Sequence, residues 1–267
     1  VRRLAPRLTC LAAAAGLAVS TGACAGRLLV RPSGPGAAAP DAAARWAAAV
    51  GACRTVRTYR ARIGLSGTVA NRRIPGFASA VLGLAVTAAG EIGLEARVSG
   101  QPVFTMAGTA DRARLLLVED QRVVDATPEA IVDALIGVPL GPARLLAVLA
   151  GCVSTTDAVG ESSRYGDLLR VATGDATVFL AERDGVWRVR AGDAPGLRVD
   201  YQDVEHGQPR RIALRSEPGA EPRVSIVLRV EEAEVNRPLP ASIFTVRVPD
   251  TAIPMSIEEL RASGPAR

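Results

Sequence analysis

From residue 58 onwards the chain is dominated by apolar and polar residues in strict alternation. In TYRARIGLSGTV, Tyr59, Ala61, Ile63, Leu65 and Val69 alternate with Arg60, Arg62, Ser66 and Thr68, which predicts a strand with one apolar and one wet face. EIGLEARV repeats the pattern with Ile92, Leu94, Ala96 and Val98 inward. LRVDY places Leu197, Val199 and Tyr201 inward, and RVSIVLRV does so with Val224, Ile226, Leu228 and Val230. FTMAGTA, RLLLVED, TVFLAE and VWRVR read as further strands, and Asp184-Gly185 marks a hairpin between the last two. Residues 77–88 are apolar on both faces but fall short of the roughly 20 residues a membrane helix needs. They predict a strand covered on both sides.

Three segments switch to the helical period. Asp41 stands as N-cap to a helix over Ala42–Cys53, with Trp46, Val50 and Cys53 on one stripe. Thr127 caps a second helix with Pro128 at its first position, running Glu129 to Ile136. Pro142–Ala150 is a third, apolar around much of its circumference and therefore buried. A large antiparallel sheet buries a whole apolar face only if it curls or is covered. The order of elements therefore predicts an α+β fold: an incomplete antiparallel β-barrel with helices covering its concave face. Ile63, Leu65, Ile92, Leu94, Val199, Ile226 and Leu228 are expected on that face, forming a cavity for apolar ligands. If the helices fill the concavity, the same pattern describes a sheet that binds nothing.

Ahead of the alternating region lies a targeting segment. Arg2, Arg3 and Arg7 precede the apolar run Leu8–Val19, followed by small residues, the layout of a secretory signal peptide over residues 1–23. Val1 reads as the GTG start of a bacterial gene. Cys24 has two readings. After Thr21-Gly22-Ala23 it stands where a lipidated cysteine stands, although Thr21 replaces the usual leucine. Ala23-x-Ala25 instead reads as an ordinary cleavage site that would release a soluble periplasmic protein. Lipidation of Cys24 is preferred because the Pro-, Gly- and Ala-rich segment 25–40 reads as a flexible tether. Neither Ala25 nor Gly26 is an acidic retention signal, so the expected address is the periplasmic face of the outer membrane. Residues 41–267 form one domain.

Composition narrows the function. The 32 basic residues are all arginine, which removes Schiff-base and P-loop lysine chemistry. Three of them leave with the signal, so the net charge of +5 falls to +2 and gives no reason to expect a polyanion. With 3% aromatics the chain lacks stacking platforms, and no nucleic-acid partner is expected. Cys53 and Cys152 are left in an exported setting. A disulfide and two separately buried thiols both fit; the separate thiols are preferred here, because spacing carries no information about Cβ geometry.

No reactive constellation stands out. The single histidine, His206, lies in a turn-like VEHGQP stretch without a second histidine for a metal pair. Glu231, Glu232 and Glu234 read as a solvated strand edge, and Ser162, Asp167 and His206 form a triad only on paper. No G-x-S-x-G, G-x-G-x-x-G or Walker loop occurs. No catalysis, cofactor or metal is expected.

The segment RVSGQPVFTMAGTADRARLLLVEDQRVVDATPEAIVDALIGVPLGPARLLAVLAGC resembles the middle of the LolB family of outer-membrane lipoprotein receptors. The resemblance rests on Ser99-Gly100-Gln101-Pro102, on Gly137-Val138-Pro139-Leu140 and on Leu149-Ala150-Gly151. Near the end, EVNRPLPASIFTVRVP looks like the closing strands of LolA-type carriers. The resemblance implies a LolA/LolB-like half-barrel that accepts acyl chains of lipid or lipoprotein. It further implies a periplasmic carrier protein as partner, the membrane as destination, and Pro102, Val103 and Phe104 on an exposed membrane-facing loop. The loop is not leucine-tipped in the family's register, and the tether is long. An alternative is a structural or partner-binding envelope lipoprotein with a self-filled cavity.

Overall fold

The computed structural model describes residues 28–85, 90–154, 156 and 158–263. The expected signal segment and Cys24 lie outside the described residues. A short strand β1 (Ala37–Ala38) precedes helix α1 (Ala42–Arg54). A first meander follows: β2 (Thr58–Val69), β3 (Arg72–Ala85), β4 (Glu91–Val98), β5 (Gln101–Gly108), β6 (Ala113–Leu117) and β7 (Arg122–Ala126). Helices α2 (Pro128–Ile136) and α3 (Pro142–Ala150) come next. The second meander is β8 (Ser162–Tyr165), β9 (Leu168–Thr173), β10 (Ala176–Arg183), β11 (Val186–Ala194), β12 (Leu197–Glu205), β13 (Gln208–Arg215) and β14 (Val224–Val235). A 3-10 turn over Ala241–Phe244, strand β15 (Ile253–Pro254) and helix α4 (Ile257–Ser263) end the described chain.

Among the described residues all strands belong to one 15-stranded sheet that runs from β1 to β15 without closing. The two meanders join where β14 pairs with β2, Leu228 opposite Leu65. Neighbours are antiparallel except β15, which pairs in parallel with β7. Both edges are two-residue strands, short enough to offer little to another chain. The alternation drives this layout: on β2, Tyr59, Ala61 and Ile63 are buried while Arg60 and Arg62 are exposed. Asp184 and Gly185 both take positive φ in the β10–β11 turn, as the two-residue hairpin requires. The expected incomplete barrel is therefore the observed fold.

The helices pack on the concave face. α1 rests on β9, β10 and β11; α3 lies against α1 and β13; α2 covers β6 and β7. Thr127 accepts a hydrogen bond from the Ala130 amide at 3.2 Å, and Gly137 and Gly151 end α2 and α3 in left-handed conformations. Asp41 does not cap α1 with its side chain. Its carboxylate instead binds Arg45 and Arg164, and these hydrogen bonds hold its pKa below the ordinary value. Inside, the Tyr201 hydroxyl donates to the Val148 carbonyl at 2.8 Å, and burial pushes that phenol's pKa far up.

The expected cover on both sides holds for residues 82–85; on the outer face Ser79 and Val81 are only half-buried. Ala78, Ala80, Leu82 and Leu84 are buried inward. On the convex side Gly83 and Gly93 stand opposite each other in register and leave a slot for Ile243. A Cβ on either glycine would collide with Ile243. Residues 86–88 of the expected strand lie outside the described residues.

Three expectations are corrected. The segment EVNRPLPASIFTVRVP does not form closing strands. β14 stops at Val235; Asn236 takes a positive φ and accepts from the Arg57 amide, and the donorless Pro238 and Pro240 cannot continue a ladder. The cysteines are not separate thiols: Cys53 and Cys152 are bonded, with Cα atoms 5.8 Å apart. α1 and α3 pack side by side, which brings their C-terminal ends together; nothing in the spacing of 99 residues announces that convergence.

The supposed tether is, from residue 28, a strap laid across the convex face. The Leu29 amide donates to Asp200 at 2.8 Å. Arg31 forms ion pairs with Asp193 at 2.8 Å and Asp200 at 3.1 Å, beside the ring of Phe179. Asp200 is 1% exposed and also binds Arg215 at 2.8 Å. Burial alone would depress the Arg31 pKa, but the hydrogen bonds and charges of the two aspartates outweigh it and hold the pKa above its ordinary value. The strap then crosses to β8, where Tyr165 donates to the Gly34 carbonyl at 2.8 Å and β1 pairs with Ser163 and Arg164. Composition hid this, because one arginine among Pro and Gly finds partners more than 160 residues away.

Candidate functional site: an apolar cavity open at one end

Between the first meander and helices α2 and α3 the concave face is incompletely filled. A cavity of about 680 Å³ remains, within the size range of small-molecule sites. Its sheet wall is built by inward positions of β2, β3, β4, β5, β13 and β14. Val132 and Leu135 of α2 and Leu149 of α3 form the opposite wall. The cavity opens where the β2–β3 and β4–β5 hairpins turn. Arg72, Arg73, Arg97, Gln101 and Glu119 ring that mouth, so nearly all the polar lining sits at the opening. The space is thus apolar within and polar at its rim.

Of the seven positions expected to line the cavity, Ile63, Leu65, Leu94, Ile226 and Leu228 do so. Ile92 and Val199 share the face but are 0% exposed within the core. They lie nearer the closed side, where helices cover the sheet. The fold thus combines a packed half and a hollow half. Side chains from the helices were missed as lining residues. Their apolar circumference was legible, but which positions face a void depends on how the helices tilt against the sheet.

Pro102, Val103 and Phe104 are not an exposed loop. The connection after β4 is only Ser99-Gly100, both with positive φ, and β5 begins at Gln101. All three residues are half-buried and line the cavity at its mouth, Phe104 packing against the core. A two-residue turn closes the hairpin sooner than Pro102 suggested.

The residues weighed for chemistry stay apart. His206 takes a positive φ in the exposed β12–β13 turn. Asp167 sits in the β8–β9 turn, and the Ser162 hydroxyl is directed to the Ala39 carbonyl at 3.3 Å. Glu232 and Glu234 pair loosely with Arg62 and Arg60 on the exposed outer face. Among the described residues no cluster of three potential metal ligands occurs, and no helix is long and apolar enough to cross a membrane.

No family model matches the sequence, and no curated protein matches it. Solved structures do match the fold. A LolA superfamily protein from Nitrosomonas europaea aligns at 10% identity over 77% of this chain and 97% of its own, with a TM-score of 0.47. LprF from Mycobacterium bovis aligns at 11% identity over 81% of this chain and all of its own, with a TM-score of 0.29. A DUF1329 family protein from Desulfovibrio piger aligns at 8% identity over 78% of this chain and 98% of its own, with a TM-score of 0.50. At that score and coverage this chain shares the overall fold of the Desulfovibrio protein.

Proposed function

We propose that this chain is an exported lipoprotein that holds acyl chains of lipid or acylated protein in its half-barrel and delivers them to the outer membrane. The observation that carries the reading is the apolar cavity of about 680 Å³ with its polar groups confined to the mouth. No covalent chemistry is needed. Each buried methylene contributes about 0.8 kcal/mol, so cargo moves to whichever site buries its chains better. A periplasmic carrier would load the cavity and the bilayer would empty it.

Export and anchoring belong to the same reading. Cys24 would carry the lipid on the periplasmic face of the outer membrane. The Cys53–Cys152 disulfide supports an oxidising compartment, where such bonds persist. Pro102, Val103 and Phe104 would act at the lip of the mouth, meeting the membrane as cargo leaves. A second reading, a partner-binding lipoprotein with a self-filled sheet, is favoured by the packed half around Ile92 and Val199.

Uptake of a fluorescent fatty-acyl probe separates the two. The wild type should bind it, and Leu94→Glu should abolish binding while circular dichroism stays native, because the new carboxylate would sit among apolar walls. A folded wild type that takes up no probe would leave only the self-filled sheet.

A further inference from the structure

We infer that the mouth end of the half-barrel docks on an anionic phospholipid bilayer, and that the N-terminal strap holds that end towards the membrane. Two independent sets of observations meet there. The first is charge. Arg72 and Arg73 stand exposed on the β2–β3 hairpin beside Ile74 and Pro75, at the lip of the cavity. The Arg72 guanidinium donates to the Ser263 carbonyl at 3.4 Å, a neutral acceptor, and among the described residues Arg72 forms no ion pair. Among the described residues Arg73 forms no ion pair. Arg97 on the neighbouring hairpin is balanced by Glu95. Against the one rim carboxylate Glu119, the Arg72 and Arg73 guanidinium groups, in no ion pair among the described residues, leave the apolar lip with an excess of positive charge, as befits a surface that meets anionic headgroups above hydrocarbon.

The second is the path of the strap. Asp193 lies opposite Arg198, Arg198 opposite Arg215, Arg215 opposite Ser225, Ser225 opposite Thr68, and Thr68 opposite Arg73. The clamp that holds Arg31 and the arginine at the mouth therefore sit on one cross-strand row, at the same end of the sheet. Leu29 is bound at Asp200, on that end of β12, and Cys24 precedes it by five residues. Five residues reach about 18 Å at full extension. A lipid on Cys24 would thus keep this end of the body within about 18 Å of the surface it enters, whereas a free tether would let the body turn. The orientation rests on the anchoring proposed above; the charge argument does not.

The test uses the full chain carrying Cys24→Ser, so that no lipid contributes. Its co-sedimentation with phosphatidylcholine vesicles is compared with vesicles containing one quarter phosphatidylglycerol. Each arginine at an anionic surface is worth about fivefold (about 1 kcal/mol). The double variant Arg72→Gln/Arg73→Gln should bind the anionic vesicles about 25-fold more weakly. Arg72→Lys/Arg73→Lys should restore most of that binding, and high salt should remove it. Arg60→Gln/Arg62→Gln, on the outer face far from the mouth, should bind as the parent does. Equal binding to both vesicles, or equal loss in the two glutamine variants, overturns the docking surface.

Uptake of the fatty-acyl probe by the same proteins keeps the two proposals distinguishable. Uptake without vesicle preference refutes docking and leaves the cavity reading standing. Vesicle preference without uptake does the reverse. For orientation, the lipid-anchored protein is labelled with a dye at Arg73→Cys or at His206→Cys, on the opposite end, in bilayers containing a quencher lipid. The first dye should be quenched strongly and the second weakly; equal quenching refutes the oriented strap.

Discussion

The Cys53–Cys152 bond closes a loop across 99 residues, from the last turn of α1 to the second residue after α3. Reducing it frees more than a third of the chain in the unfolded state while leaving the native non-covalent contacts in place. In the chain-entropy description a loop of about 100 residues is worth about 4.7 kcal/mol. Measured bonds commonly give about 2–4 kcal/mol, so a loss of about 3 kcal/mol is the working figure. Domains of about 150–250 residues shift by about 2–4 °C for each kcal/mol, which places the expected drop in melting midpoint at about 10 °C. The assay is thermal unfolding of the same protein with and without reductant, followed by circular dichroism, with thiol titration before each scan. The oxidised protein should show no free thiol at positions 53 and 152. Two titratable thiols in the untreated folded protein, or midpoints within about 2 °C of each other, would refute the bond as a stabilising link.

Other consequences are equally accessible. Asp200→Ala leaves Arg31 and Arg215 facing each other without their shared carboxylate, and removing one member of a buried ion group costs about 3–5 kcal/mol; hydrogen exchange should rise over residues 28–38, and unchanged exchange would show that Arg31 does not hold the strap. Gly93→Ala drives a methyl group into the Ile243 carbonyl, so the 241–244 turn should lift and stability should fall by about 1–3 kcal/mol; a neutral result in denaturant unfolding would mean that the turn is not packed there. Cys24→Ser should move the protein from the membrane fraction to the soluble periplasm, and a wild type that is already soluble, with Gly26 as its first residue, would remove the anchor from the account.

Local patterns carried most of the fold. Period-2 alternation placed β2, β4, β12 and β14, and Thr127-Pro128 placed the start of α2, because those signals reside in neighbouring residues. What remained hidden depends on contacts distant in sequence. Arg31 looks like any arginine in a Pro/Gly segment until β11 and β12 bring Asp193 and Asp200 beneath it. Nothing in the sequence singles out Gly83 and Gly93, yet their bare Cα atoms are what admits Ile243. In the site, alternation identified the apolar face but could not divide it. Leu94 meets the cavity and Ile92, two positions away on the same face, lies in packed core. That boundary is set by where α2 and α3 rest, and no local pattern encodes it.

The central claim is that the hollow half of the barrel holds acyl chains. Native mass spectrometry of protein purified gently from membranes tests it most directly. The claim requires a fraction of the protein to carry added mass that fragments as lipid or acylated peptide, and requires Leu94→Glu to lose that mass while remaining folded. Protein that flies only at its own mass, and that takes up no fatty-acyl probe when one is supplied, would contradict it.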